Sequence, residues 1–278
     1  MASYLITGAN RGLGLLMASF LASKPMSKVG IIVAAVRSTS DALDRLVKSS
    51  NGRVAVLAVQ VTDEESVRKF AGEVVKVLPS GLDVLINNAG IMQYSPDAEL
   101  GVETMYVGEW PVLASLDWIP SQWELTTCRN NLHDHWSINL NSVHLVSRAL
   151  LPLLRTGKKK TIVNLSSTLG SIALARQYMF QPTPAYKISK AALNMLTVQY
   201  AAYLEKEGFI IFGIDPGWAR TEMGSEHADL DPEEAAVCLI SKVLDATKED
   251  SGKFFEANVP SWEYKGGPNR YEGQILPW

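Results

Sequence analysis

Short apolar runs alternate with longer amphipathic stretches along the whole chain. The apolar runs occupy residues 4–6, 29–36, 54–59, 82–86, 161–165 and 209–214. Each is short and continuous, as expected of strands buried on both faces of a parallel sheet. Between them, stretches with helical spacing lie near residues 12–23, 40–49, 63–78, 128–156, 185–207 and 231–247. The alternation predicts an α/β fold: one doubly wound parallel sheet of about seven strands with helices on both faces. No internal repeat, low-complexity tract or linker divides the sequence, so residues 1–278 read as a single domain. On such a sheet ligands bind beyond the carboxyl ends of the strands, where the strand order reverses.

Composition narrows the function classes. Hydrophobic residues make up 47% and charged residues 20%, ordinary values for a globular protein. A formal net charge of −3 gives no argument for nucleic acid or for an anionic membrane. The cluster Lys158-Lys159-Lys160 precedes a predicted strand and reads as a solvated loop. Cys128 and Cys238 have no metal-ligand spacing and suit free thiols in a reducing compartment. The four histidines form no metal pattern with carboxylates, and a zinc hydrolase is set aside. The first strand begins by residue 4, and no apolar run reaches the roughly 18 residues of a membrane span. The expectation is a cytosolic protein.

The candidate chemistry sits at strand ends. The first predicted strand runs into Thr7-Gly-Ala-Asn-Arg-Gly-Leu-Gly14 and then into a helix. In that context Gly8 allows a tight turn, Gly12 permits close approach of a pyrophosphate, and Gly14 lets helix and strand pack. The helix N-terminus supplies free N–H donors. Alone, such a turn also fits a ligand-free loop. Farther along, Tyr186 and Lys190 lie four residues apart in a predicted helix, and 19 residues before Tyr186 a strand-like run ends in Ser166-Ser167. Four-residue spacing stacks two side chains on one helix face. A nearby ammonium lowers a phenol's pKa from about 10 and makes it a usable acid/base for alcohol–carbonyl interconversion.

Six motifs in order carry a resemblance: the glycine turn, Asn87-Asn-Ala-Gly90, Asn139 within a helix, Ile162-Val-Asn-Leu-Ser-Ser167, Tyr186-x-x-x-Lys190 and Asp215-Pro-Gly-Trp-Ala-Arg-Thr221. Together they resemble the short-chain dehydrogenase/reductase superfamily over nearly the whole length. The resemblance implies a Rossmann fold and an oxidoreductase with Tyr186 as general acid. Lys190 would hold the cofactor ribose and lower the Tyr186 pKa. Ser167 would hydrogen-bond the substrate carbonyl, with Ser166 structural. Asn139 would interrupt the helix hydrogen bonding and hold a water, with Asn141 as a rival two residues on. Gly8, Asn10, Arg11, Gly12, Leu13 and Gly14 would cradle the cofactor. Val61 (backbone), Asn88 and Gly90 would line its adenosine side, and Ala219 (backbone) and Thr221 its nicotinamide. Gln60 stands where relatives often carry Asp.

Charge argues for the phosphorylated cofactor. An NAD site places a carboxylate after the second strand. Here Arg37 occupies that position, with Arg11 in the glycine turn, and two guanidinium groups suit the 2′-phosphate of NADP(H).

Two segments exceed the family's usual length. The first, at about 92–127, contains Met105, Tyr106, Trp110, Trp118 and Trp123. The second, between Ser167 and Tyr186, contains Tyr178, Met179 and Phe180. An aromatic-rich insertion can form a lid, a subunit interface or a satellite core. Trp218, Met223 and Glu226 are expected to complete a substrate pocket. The glycine turn, the Pro-Gly-Trp loop and the Pro277-Trp278 end look most like fungal ketoreductases similar to norsolorinic acid ketoreductase, which suggests secondary metabolism and an aromatic polyketide-type ketone. A cofactor-binding regulator and a non-redox isomerase or cyclase are the other classes. Relatives pair through the helices near 128–156 and 185–207, so a homo-oligomer, dimer or tetramer, is expected.

Overall fold

The computed structural model describes residues 1–93, 131–264 and 266–278. The insertion's Met105, Tyr106, Trp110, Trp118 and Trp123, together with Cys128, lie outside the described residues. Seven strands form one sheet in the order β3-β2-β1-β4-β5-β6-β7, with every pairing parallel. They are β1 Ala2–Thr7, β2 Val29–Val36, β3 Val54–Ala58, β4 Val84–Asn87, β5 Thr161–Leu165, β6 Ile210–Asp215 and β7 Phe254–Glu256. The order reverses between β1 and β4, so the switch in winding falls where the glycine turn and the Asn87–Gly90 segment leave the sheet.

The helices fall where the periodicity places them: α1 Gly12–Ser23, α2 Asp41–Ser49, α3 Glu64–Val77, α4 Ser142–Thr156, α5 Pro184–Leu204 and α6 Pro232–Leu244. Alternate strand residues point to opposite faces. Tyr4 and Ile6 therefore pack with Met17 and Leu21 of α1 and with Leu239 and Ile240 of α6. Leu5, between them, packs with Phe70 of α3, Leu150 of α4 and Leu204 of α5. Each such side chain taken out of water contributes about 1.5–3 kcal/mol. A polar substitution at Leu5 would confront both the sheet and three helices.

Two features depart from the simple alternation. The described part of the helix predicted over 128–156, residues 131–156, is helical throughout, but Trp136–Asn141 is a π segment. The seventh strand, β7, had no residue range in the sequence pattern. It is three residues long, and the C-terminal segment covers it through an antiparallel bridge between Phe255 and Ile275. Trp278 stacks on Phe254 with centroids 5.5 Å apart.

Candidate active site

The carboxyl ends of β1, β4, β5 and β6 meet on one side of the sheet, and each brings one motif. At β1, Thr7 Oγ1 accepts the backbone N–H groups of Asn88 and Ala89, both at 3.0 Å. Asn88 Nδ2 donates in return to the carbonyls of Thr7 (2.8 Å) and Gly8 (3.2 Å). Asn88 is thus a strut between the turn after β1 and the segment after β4. Gly8 and Gly12 have φ of +68° and +51°, a region that L side chains avoid. A Cβ on Gly14 would lie 2.4 Å from the Gly8 carbonyl oxygen, which is why helix and turn can close only around glycine.

The N-terminus of α1 follows this turn without a side-chain cap, whereas Ser40, Asp63 and Asp231 cap α2, α3 and α6. Its first turn also lacks acidic residues. Uncapped N–H groups and a positive dipole end suit a diphosphate, so the cradle fits the expected cofactor. Asn10 presents its carbonyl to Ser40 Oγ at 2.6 Å, tying the turn to α2. Arg37 is exposed just beyond β2. The two guanidinium groups do not share one partner: Arg11 pairs with Glu222, from the loop after β6. Val61 is half-buried beyond β3, and Gln60 is exposed with its amide on Thr62 Oγ1 at 3.0 Å.

Tyr186 and Lys190 lie on α5 and are 8% and 6% exposed, so the four-residue spacing turns both inward. The Lys190 ammonium stands 5.6 Å from the Tyr186 ring centroid and donates to the Leu165 carbonyl at 2.6 Å. Burial pushes Lys190 down to about 8, while the carboxylate of Asp215 opposes the shift. Asp215, at the end of β6, is itself raised by burial, with the Gly217 N–H among the groups that hold it back. Ser167 follows β5 and is nearly buried, its Oγ accepting the Leu169 N–H at 3.2 Å. Ser166 Oγ donates to Asn194 Oδ1 at 2.5 Å, in keeping with a structural part.

Asn139 is fully buried in the π segment, and Asn141 is exposed. Asn139 Oδ1 accepts the Ile91 N–H at 2.8 Å, and its Nδ2 donates to the Ile91 carbonyl and to Ser189 Oγ. A Cβ on Gly90 would lie 3.2 Å from Asn139 Oδ1 and 3.9 Å from Lys190 Nζ, which places these three residues together.

A cavity of about 150 Å³ opens beside Ser167 and Tyr186, lined also by Leu13, Met92, Tyr178, Phe180, Trp218, Ala219, Thr221 and Met223. Thr221 approaches the glycine turn: a Cβ on Gly12 would lie 3.9 Å from its methyl group. Trp218 Nε1 donates to the Gly224 carbonyl at 2.6 Å, which holds the indole in the wall. Glu226, expected in the pocket, is instead exposed beside His227 and is not among the lining residues. A shallow depression of about 400 Å³ along α3, from Asp63 to Glu73, contains none of the motif residues.

Four partners of this site were given no role by the sequence. Asp215 lay inside a recognised motif but had no role. Asn269 and Tyr271 reach the cavity from the C-terminal segment, with no motif to mark them. His135 was set aside with the other histidines, yet it is fully buried with its ring edge against Tyr186, centroids 6.2 Å apart. Its Nε2 accepts the Gln93 N–H at 3.2 Å, so Nδ1 is the protonated nitrogen and donates to the Asn131 carbonyl at 2.7 Å. Its place four residues before Asn139, hence on the same helix face, was the available signal.

A doubly wound sheet whose switch point carries a glycine turn, with Ser, Tyr and Lys clustered beside the neighbouring strand ends, defines a class of dinucleotide-dependent oxidoreductases. Residues 3–106 match the family described as short chain dehydrogenase, and residues 118–248 the one described as Enoyl-(Acyl carrier protein) reductase. The chain belongs to the short-chain dehydrogenase/reductase family. It is 32% identical over 276 residues to the short chain dehydrogenase gsfK of Penicillium aethiopicum, across 92% of this chain and 96% of that protein. It is also 32% identical over 222 residues to the short-chain dehydrogenase/reductase AacuF of Aspergillus aculeatus, across 78% and 74%. Among solved structures, the NADPH-bound carbonyl reductase from chicken fatty liver superposes with a TM-score of 0.77 at 26% identity, covering 100% of this chain and 94% of that one. The carbonyl reductase Sniffer of D. melanogaster gives the same TM-score and identity, covering both chains completely. No helix among the described residues is long and apolar enough to cross a membrane.

Proposed function

We propose that the protein is an NADPH-dependent reductase that converts the carbonyl of an apolar, aromatic polyketide-type ketone to an alcohol. The observation that carries this reading is that Tyr186 and Ser167 line one cavity while the Lys190 ammonium stands 5.6 Å from the Tyr186 ring centroid. NADPH, when bound, supplies the hydride. Tyr186 delivers the proton to the carbonyl oxygen, and Ser167 Oγ hydrogen-bonds the same oxygen and orients it. The Lys190 ammonium keeps one N–H on Leu165 and has two left for the ribose hydroxyls. Its charge stabilises the phenolate that Tyr186 becomes.

Asn139 supports this set by clamping the chain at Ile91 while the π segment disturbs the main-chain ladder around it. The glycine turn (Gly8, Asn10, Arg11, Gly12, Leu13 and Gly14) takes the diphosphate. Arg37 is the leading group for the 2′-phosphate, and Arg11 joins it on leaving Glu222. Val61 and Gly90 line the adenosine side, with Asn88 shaping the floor from behind. Ala219 and Thr221 hold the carboxamide of the nicotinamide. Trp218, Phe180 and Met223 form an apolar wall for a flat substrate. The chain acts as one domain with an insertion at about 92–127, is cytosolic, and pairs with a second copy through α4 and α5. The exposed Met195 and Tyr203 on α5 support that pairing.

The test is Tyr186→Phe assayed by NADPH oxidation over a panel of aromatic and aliphatic ketones. Turnover should fall by about 10³-fold or more, with NADPH affinity unchanged by fluorescence titration. Near-normal turnover by this variant removes the mechanism. Wild-type NADPH binding without net NADPH consumption on any ketone favours the regulator or isomerase reading.

A further inference from the structure

Part of the cavity lining is built from hydrogen-bonding groups, and three separate chain segments meet there around a single carboxylate. Asp229, in the loop between β6 and α6, accepts from Asn269 Nδ2 and from the Tyr271 hydroxyl, each at 2.7 Å. Because a carboxylate accepts and does not donate, it fixes the Asn269 amide with nitrogen towards Asp229. The amide oxygen then faces Tyr178, whose hydroxyl donates to it at 3.2 Å. Tyr178 belongs to the longer interval between Ser167 and Tyr186, and its carbonyl is held by the Lys187 ammonium at 2.7 Å. Tyr271 completes the chain by accepting the Trp218 N–H at 3.2 Å. Tyr178, Asn269 and Tyr271 all line the cavity that also holds Tyr186 and Ser167, while Asp229 stands behind them.

The valences left over are specific. Asn269 has used one of its two amide hydrogens, and the Tyr178 oxygen, which donates its own hydrogen and meets the Thr168 hydroxyl, keeps a second lone pair. A donor and an acceptor therefore meet in a cavity whose lining also holds the apolar Leu13, Met92, Leu169, Phe180 and Met223 and the polar Thr168, Gln181 and Thr221. A substrate hydroxyl can accept from Asn269 and donate to Tyr178 together; a purely hydrocarbon substrate leaves both groups unmatched. Burial raises the pKa of both Tyr178 and Tyr271, so both phenols keep their protons across the neutral range.

We infer that Tyr178 and Asn269, positioned by Asp229, are specificity determinants that select ketones bearing a second hydroxyl remote from the reacting carbonyl. This rests on the carbonyl-reductase reading and names its substrate class more closely. A site built to hydrogen-bond a hydroxyl discriminates strongly against the analogue lacking it.

The experiment compares 1-tetralone with its 6-hydroxy and 7-hydroxy derivatives on the full-length protein. It reads kcat/KM by NADPH oxidation and Kd by quenching of tryptophan fluorescence. The wild type should prefer at least one hydroxylated ketone by about tenfold or more in both readouts. In Tyr178→Phe and Asn269→Leu the ratio should fall towards one, and being a ratio it is insensitive to partial loss of folded protein. Equal handling of all three ketones by the wild type overturns the inference while leaving the reductase reading intact. A preference that survives both substitutions does the same. Preferential binding without any turnover upholds this wall and overturns the reductase reading instead. Failure to bind or reduce any of the three overturns both.

Discussion

Lys190 is the residue on which the electrostatics of the site turn. Its ammonium is held near 8 by burial, against an ordinary value of 10.5, and Asp215 is the group that opposes the shift. Activity that needs the ammonium should decline as pH rises through about 8, and Asp215→Asn, by removing the opposing charge, should move that decline to lower pH. Stability should run the other way. Between about 8 and 10.5 the unfolded chain holds more protons at this lysine than the folded one, so the lysine's contribution favours folding increasingly as pH rises. Profiles of kcat/KM and of melting temperature against pH should therefore diverge in this window. An alkaline limb that does not move in Asp215→Asn removes Asp215 from the account. The Tyr186–Lys190 pair was legible because four-residue spacing survives any packing of the helix. Asp215 was not, since its effect depends on β6 lying beside β5, which brings it near an ammonium anchored on Leu165.

At the scale of elements, the turn from β1 into α1 concentrates the tightest steric demand. A methyl group on Gly14 would meet the Gly8 carbonyl oxygen at 2.4 Å and Asn88 Nδ2 at 2.6 Å. Neither can yield cheaply, because Asn88 already bridges Thr7 and Gly8. Gly14→Ala should cost about 1–3 kcal/mol in a urea-unfolding experiment, the usual penalty of overpacking, and should weaken NADPH binding because the helix N-terminus moves with the turn. An unchanged unfolding midpoint together with unchanged affinity would show that the turn is slacker than these distances imply. The sequence marked this element well, since strand, glycines and helix follow one another in the chain. It marked the π segment poorly. Asn139 could be named, but the register of the helix around it depends on a clamp to Ile91 from another part of the chain. Strand β7 went unplaced because three residues, Phe254–Glu256, make too short a run to show a period, and the tail that covers them shows none either.

For the whole molecule, the β1 turn and the loop after β6 approach each other across the switch point, through Gly12 and Thr221 and through the Arg11–Glu222 pair. A ligand lying between them binds the folded chain and has no comparable site on the unfolded one, so its affinity reappears as stability. At about 100 times its Kd, NADPH should add about 2.7 kcal/mol. For a chain near this size that corresponds to a rise in melting temperature of about 5–10 °C. NADH at the same concentration should give a smaller rise, because it offers no 2′-phosphate to Arg37. Arg37→Asp should invert the order: the carboxylate repels the phosphate and can accept a hydrogen bond from a free ribose hydroxyl. The Arg11–Glu222 pair is exposed on both sides and contributes little on its own, so Glu222→Gln should leave the ligand-free melting temperature nearly unchanged. If Arg37→Asp leaves NADPH ahead of NADH by the same margin, the 2′-phosphate is read elsewhere, and Arg11 freed from Glu222 becomes the group to test.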